Sequence, residues 1–205
     1  MRTGKQSRRQ MQIIKDEKFL RQISEPATPE EGREIGEKLL QVLSEHEDGI
    51  GLSAPQIGIL KRVVAIKVKD KPFYLVNPRI IEAEGEILYS EGCLSFPGKT
   101  ARTIRHTLIT VEADNWPSKM IFCPITGENE FSMNDSGLLE CICVQHEICH
   151  LDGDLMIDFF KTIKNPFKYG RNEKVNIKNN VTDQVIEQIK YKKAEAYLEQ
   201  GWEIV

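Results

Sequence analysis

Between Thr28 and Glu47 apolar side chains recur at helical spacing, with Ile35, Leu39, Val42 and Leu43 on one stripe. Thr28 stands where a cap belongs, Pro29 fits the first helical position, and Glu31 closes a capping box. The pattern predicts a helix packed on the core. Beyond it the period shortens. Arg62 to Val68 and Phe73 to Val76 read as strands around a turn at Asp70-Lys71-Pro72. Asn77-Pro78 breaks the run, and residues 79–83 and 86–88 read as further short strands around Gly85. Leu108 to Glu112 alternates as a strand, and Met120 to Cys123 and Glu130 to Ser132 read as two arms of an extended hairpin. A succession of short strands without intervening helices predicts an antiparallel sheet. Helical spacing returns at Ser136, read as the cap of a helix that Leu138, Leu139, Ile142 and Cys143 tie to the core and Gly153 stops.

After Gly153 the pattern thins. Leu155 to Phe160 is apolar enough to pack back on the core. Lys161 to Lys178 holds six basic residues and one acid, with Pro166 and Gly170, and reads as a linker or basic loop. Asn180 to Gln200 reads as a final helix with Val185, Ile186, Ile189, Ala196 and Tyr197 on one face. The expected fold class is α+β: antiparallel strands around a central helix, with an N-terminal helix and a C-terminal helical extension. Three regions follow: a basic tail at 1–12, a catalytic domain at 13–163, and a basic linker with its helix at 164–205.

The 205 residues suffice for one sizeable core, and 40% hydrophobic with 29% charged residues is an ordinary globular composition. A net charge of −3 does not favour nucleic acid. No apolar run approaches the roughly 20 residues that span a bilayer. Met1 to Gln10 carries four basic residues but no apolar segment follows, so it does not read as a secretory signal. Five cysteines, an odd number without such a signal, argue against a disulfide framework and for a reducing, cytoplasmic compartment.

Three stretches carry candidate chemistry. Gln145 to His150 reads His-Glu-x-x-His on the predicted helix. Residues four apart share a helix face, so His146 and His150 can offer two imidazoles to one metal ion, with Glu147 in reach of a water there. Two histidines so spaced can equally be packed residues. Asp48 to Gly58 holds three glycines and a proline, which disfavours a regular element. It reads either as a plain connection or as a loop whose glycines let a ligand approach the backbone. In Tyr89 to Gly98, Cys93 reads either as a small buried hydrophobe or as a thiolate ligand.

Gly49 to Gln56, Glu91 to Ser95 and Gln145 to His150 resemble, in type and order, the three motifs of the peptide deformylases. The resemblance runs from about Ile13 to Phe160, including Leu20-Arg21 and His150-Leu151-Asp152-Gly153. It implies a metal held by Cys93, His146 and His150, with a fourth position left to water, as in catalytic sites. The family uses ferrous iron; a thiolate with two imidazoles also accepts Zn²⁺, Ni²⁺ or Co²⁺. The implied reaction removes the formyl group from the formyl-methionyl N-terminus of nascent polypeptides. Glu147 would move the proton, and the Gln56 amide and the Leu94 N–H would hold the oxyanion. Gly51 and the backbone around Ile50 would pair with the substrate main chain, and Ile142, Cys143, Glu91 and Phe96 would line the methionine pocket. The protein is expected to be a monomer, off the membrane, with a ribosome contact through the basic C-terminal segment. One departure stands out. Cys149 occupies a place where the family usually has Asp, so an arginine that would pair with it, expected to be Arg105, needs another partner.

Overall fold

The fold is that of a computed structural model, which describes residues 12–124, 135–158, 174–179, 184–190, 193, 194, 197 and 202–204. The chain forms two compact units, Met1–Thr162 and Ile163–Val205.

The first unit is α+β. A short helix α1, Glu17–Leu20, precedes α2, Pro29–Ser44, whose capping box forms as the sequence predicts: Thr28 accepts from the Glu31 N–H and Glu31 accepts from the Thr28 N–H. One face of α2 buries Ile35, Leu39, Val42 and Leu43. The glycine-rich stretch after it is more regular than expected. It forms strand β1, Gly51–Ser53, and a 3₁₀ turn, Ala54–Ile57, which Gly58 ends at φ 82°. β2, Val63–Ile66, and β3, Phe73–Val76, follow, and the three strands pair antiparallel in the order β1-β2-β3. Both faces of β2 are buried. Val63 and Ala65 pack with α2, while Val64 and Ile66 pack towards the long helix α3, Ser136–Leu151. That double burial explains the unbroken apolar run Val-Val-Ala-Ile.

Two further sheets complete the unit. β4, Arg79–Glu84, pairs with β7, Leu108–Glu112, which pairs with β8, Met120–Phe122. β5, Ile87–Gly92, forms a hairpin with β6, Thr100–Arg105, a strand absent from the sequence reading. The strands on either side of Gly85 therefore belong to different sheets. The second hairpin arm, Glu130–Ser132, lies outside the described residues.

Thirteen of the sixteen residues of α3 are buried, which makes it the central helix. Its cap is Asp135, not Ser136: the Asp135 carboxylate accepts from the N–H groups of Gly137 and Leu138 at 2.7 and 3.0 Å. A carboxylate satisfies two orphan amides and suits the positive helix end better than a hydroxyl. Gly153 follows at φ 77°, where a Cβ would stand 2.5 Å from the Arg21 carbonyl oxygen.

In the second unit, β10, Val185–Lys190, and β11, Trp202–Ile204, flank β9, Lys174–Asn179. The helix expected from Asn180 to Gln200 is thus corrected in its first half, where Val185, Ile186 and Ile189 lie in a strand, while Lys193, Ala194 and Tyr197 further on are helical. The cause is a bulge. Register shifts between Ile186 and Ile189, and Gln188 takes φ 54°. The extra residue lets both isoleucines, three apart, join the cluster of Val175, Ile177 and Ala194. Strand residues three apart then mimic helical spacing.

Candidate metal centre

α3 brings the two histidines to one face, and the turn after β5 brings Cys93 to meet them. The ligand atoms of Cys93, His146 and His150 all lie within 4.8 Å of one another, and no other such group occurs among the described residues. Cys93 Sγ is 3.3 Å from His150 Nε2. His146 Nδ1 is 2.6 Å from Glu91 Oε2, which turns its other nitrogen towards Cys93. A half-buried thiol beside two buried imidazoles is the donor set of a soft or borderline divalent cation, and three protein ligands leave a fourth position open. The residues fit such an ion. Glu147 Oε2 and His150 Nδ1 are buried without a hydrogen-bond partner, so protein groups alone do not satisfy the polar atoms around the cluster.

Glu91 lines the cavity as expected, and its carboxylate is taken up by protein partners. Besides His146 it accepts from Thr103 Oγ1, from Arg105 Nε at 2.5 Å and from Arg105 Nη2 at 2.9 Å. Burial alone would raise this carboxyl; the hydrogen bonds from Arg105 and His146 overcome it and hold the group at about 2. Arg105 thereby finds its other partner, and its Nη1 rests 3.2 Å from Cys149 Sγ. Cys149 faces Arg105, not the ligand cluster. The supporting groups Thr103 and Arg105 come from β6, whose alternation of threonine and arginine (Thr-Ala-Arg-Thr-Ile-Arg) does not resemble a buried strand. Gln145 ties α3 to the same region, donating to the His106 carbonyl at 2.9 Å and accepting from its N–H at 2.9 Å.

Gln56 sits at the end of the 3₁₀ turn, 1% exposed. Its Oε1 accepts from the Ser53 N–H and hydroxyl at 2.8 and 2.9 Å, which fixes the direction of the amide. Its Nε2 then faces Cys93 Sγ at 3.4 Å and Ser95 Oγ at 3.2 Å. Glu147 is buried, and that burial pushes its carboxyl up to about 7.

A cavity of about 360 Å³ opens onto these groups. Ile50, Gly51, Gln56, Leu94, Ile142 and Cys143 all line it, as do Glu91, His146 and Glu147. Leu139 and Tyr89 line it too, unforeseen by the sequence reading, whereas Phe96 is buried elsewhere with Leu20, Ala101, Leu155 and Met156. β1 is an edge strand beside this cavity. The Ile50 carbonyl accepts from the Lys67 N–H at 2.7 Å, so Ile50 pairs inward to β2. Alternation along a strand then turns the Gly51 N–H and C=O to the free edge. A Cβ on Gly51 would stand 2.5 Å from Glu147 Oε1 and 2.6 Å from Cys143 Sγ, so a side chain there would have to displace both.

The family described as polypeptide deformylase matches residues 10–166. The peptide deformylase of Desulfitobacterium hafniense is 47% identical over 111 residues, 54% of this chain and 67% of that one. That of Hydrogenovibrio crunogenus is 34% identical over 157 residues, 74% and 86% of the two chains. The crystal structure of the peptide deformylase from Thermotoga maritima superposes with a TM-score of 0.58 at 28% identity, covering 73% of this chain and 95% of that one. Motifs, fold and ligand cluster agree with these matches, and the chain belongs to the peptide deformylase family, hydrolases of an N-formyl amide.

Proposed function

We propose that the cavity binds the formyl-methionyl N-terminus of a nascent peptide, that Cys93, His146 and His150 hold the catalytic ion, and that Glu147 moves the proton. The observation that carries this reading is the buried Glu147 carboxylate, with one oxygen unpartnered, next in sequence to a cluster of one thiol and two imidazoles whose ligand atoms lie within 4.8 Å of one another. Cys93, His146 and His150 would hold a divalent cation, ferrous iron by family expectation, which would supply Lewis acidity and lower the pKa of water there.

The chain's own residues do the rest. A peptide laid along β1 pairs with the Gly51 N–H and C=O as an added strand. Its methionine side chain enters the apolar end formed by Ile142, Cys143 and Leu139. The formyl oxygen lies between Gln56 Nε2 and the Leu94 N–H, both aimed where negative charge develops. Glu147 takes a proton from the attacking water and returns it to the leaving amine, so formate and a free amino terminus result. The Glu91–Arg105 pair holds His146 in one tautomer throughout. A His-Glu-x-x-His endopeptidase would need a third ligand downstream of the helix; Cys93 lies upstream.

Anaerobically prepared, iron-loaded protein should hydrolyse formyl-Met-Ala-Ser, and Glu147→Ala should lower kcat by about 10²–10⁴. No wild-type turnover, or stoichiometric metal binding by Cys93→Ala, would overturn the assignment. Among the described residues no helix is long and apolar enough to cross a membrane. A monomer in the cytoplasm, touching the ribosome through the basic stretch from Lys161 to Lys178, completes the reading. Ribosome co-sedimentation unchanged by deleting the residues after Asn165 would remove that contact from it.

A further inference from the structure

α2 ends without a cation of its own. Its last turn is Gln41-Val42-Leu43-Ser44, and Glu45, Glu47 and Asp48 follow. The end of a helix exposes carbonyls and carries partial negative charge, which three nearby acids deepen. The missing cation comes from another element. Lys67, the residue after β2, reaches across and donates from Nζ to the Leu43 and His46 carbonyls, at 3.1 Å each. Its backbone N–H donates to the Ile50 carbonyl at 2.7 Å.

One residue therefore holds both ends of the His46–Ile50 connection, and that connection is a wall of the cavity: Asp48, Gly49 and Ile50 line it. The turn is tight as well as tethered. The Gly49 N–H donates to the same His46 carbonyl at 3.2 Å, and a Cβ on Gly49 would stand 2.9 Å from Leu43 Cδ1. The inward pairing of Ile50 with Lys67 is also what turns Gly51 outward.

We infer that Lys67 is a positioning residue for substrate binding. Its ammonium fixes the end of α2 and its amide fixes Ile50, so β1 presents Gly51 to the peptide at a set distance from Glu147. Lys67 belongs neither to the ligand cluster nor to the cavity lining, so its effect falls on binding and not on bond cleavage. The inference rests on β1 being the substrate edge.

The test is steady-state kinetics on formyl-Met-Ala-Ser for wild type, Lys67→Met and Lys67→Arg, with metal content and amide hydrogen exchange measured on the same samples. Lys67→Met keeps the aliphatic stem and loses two charge-assisted hydrogen bonds, so KM should rise about tenfold with kcat within about twofold. Metal stoichiometry should not change, exchange at Gly49–Gly51 should quicken, and Lys67→Arg should restore KM to within about threefold of wild type. A folded Lys67→Met with wild-type KM overturns the inference, as does a fall in kcat that tracks lost metal. If Lys67→Met does not fold, Lys67→Gln replaces it under the same criteria. An active wild type with an indifferent Lys67 overturns this inference alone; an inactive wild type overturns the proposed function with it.

Discussion

Helices α2 and α3 are both sixteen residues long, yet α2 buries six residues along one stripe and α3 buries thirteen all round. The six on α2 are apolar side chains or glycines. Those on α3 include Glu140, Gln145, His146, Glu147 and His150. A surface helix is held by its apolar face, but a central helix that carries polar groups into the core must find each a partner. Glu140 takes Lys69 at 2.5 Å, Gln145 takes the His106 backbone, and His146 takes Glu91. A buried polar atom left over costs about 1–3 kcal/mol, and the leftovers on α3, Glu147 Oε2 and His150 Nδ1, belong to residues of or next to the Cys93–His146–His150 cluster.

This division makes different demands on mutants of the two helices. The largest effect is expected where a polar partner of α3 is removed. Glu91→Gln leaves the buried Arg105 without its carboxylate and should cost about 3–5 kcal/mol in urea unfolding. Metal affinity, read by competition with a chelator, should fall about 10–100-fold as well. Leu39→Ala on α2 should cost about 2–5 kcal/mol through the cavity it leaves, with kcat per folded enzyme unchanged. If Leu39→Ala slowed turnover per folded enzyme, or Glu91→Gln left both stability and metal unaltered, the contrast between the helices would not survive. The smallest effect is a null on α3 itself. Burial pushes the Cys141 thiol up to about 12, so it stays protonated as pH rises from 7 to 9. Iodoacetamide should therefore label the half-buried Cys123 and Cys149 over that range and spare Cys141, as peptide mass spectrometry can read.

The stripe on α2 was readable because propensity, cap and burial agree at each position. The ligand cluster was readable because its three residue types sit in motifs with little freedom of spacing. β6 was not, since two of its three inward residues are the polar Thr103 and Arg105 and its outward Ile104 is 55% exposed, the reverse of a core strand. The role of Glu91 was hidden for the same reason: its partners come from β6, and only pairing of β5 with β6 brings them together. Asp135 outranked Ser136 as a cap because the cap site is set by where the chain enters the core, one residue earlier than the hydroxyl suggested. The bulge at Gln188 defeats periodicity outright, because an inserted residue converts an alternation of two into a spacing of three.

Gly51 has a consequence for anyone who would reshape this enzyme. A Cβ there would stand 2.5 Å from Glu147 Oε1 and 2.6 Å from Cys143 Sγ, so a larger residue has to displace the ends of those two side chains. Variation introduced at the neighbouring lining residues Leu139 or Ile142 can widen or narrow what the cavity accepts. At position 51 any side chain has to push the ends of Glu147 and Cys143 aside, so selection for new substrates starts more easily at those neighbours.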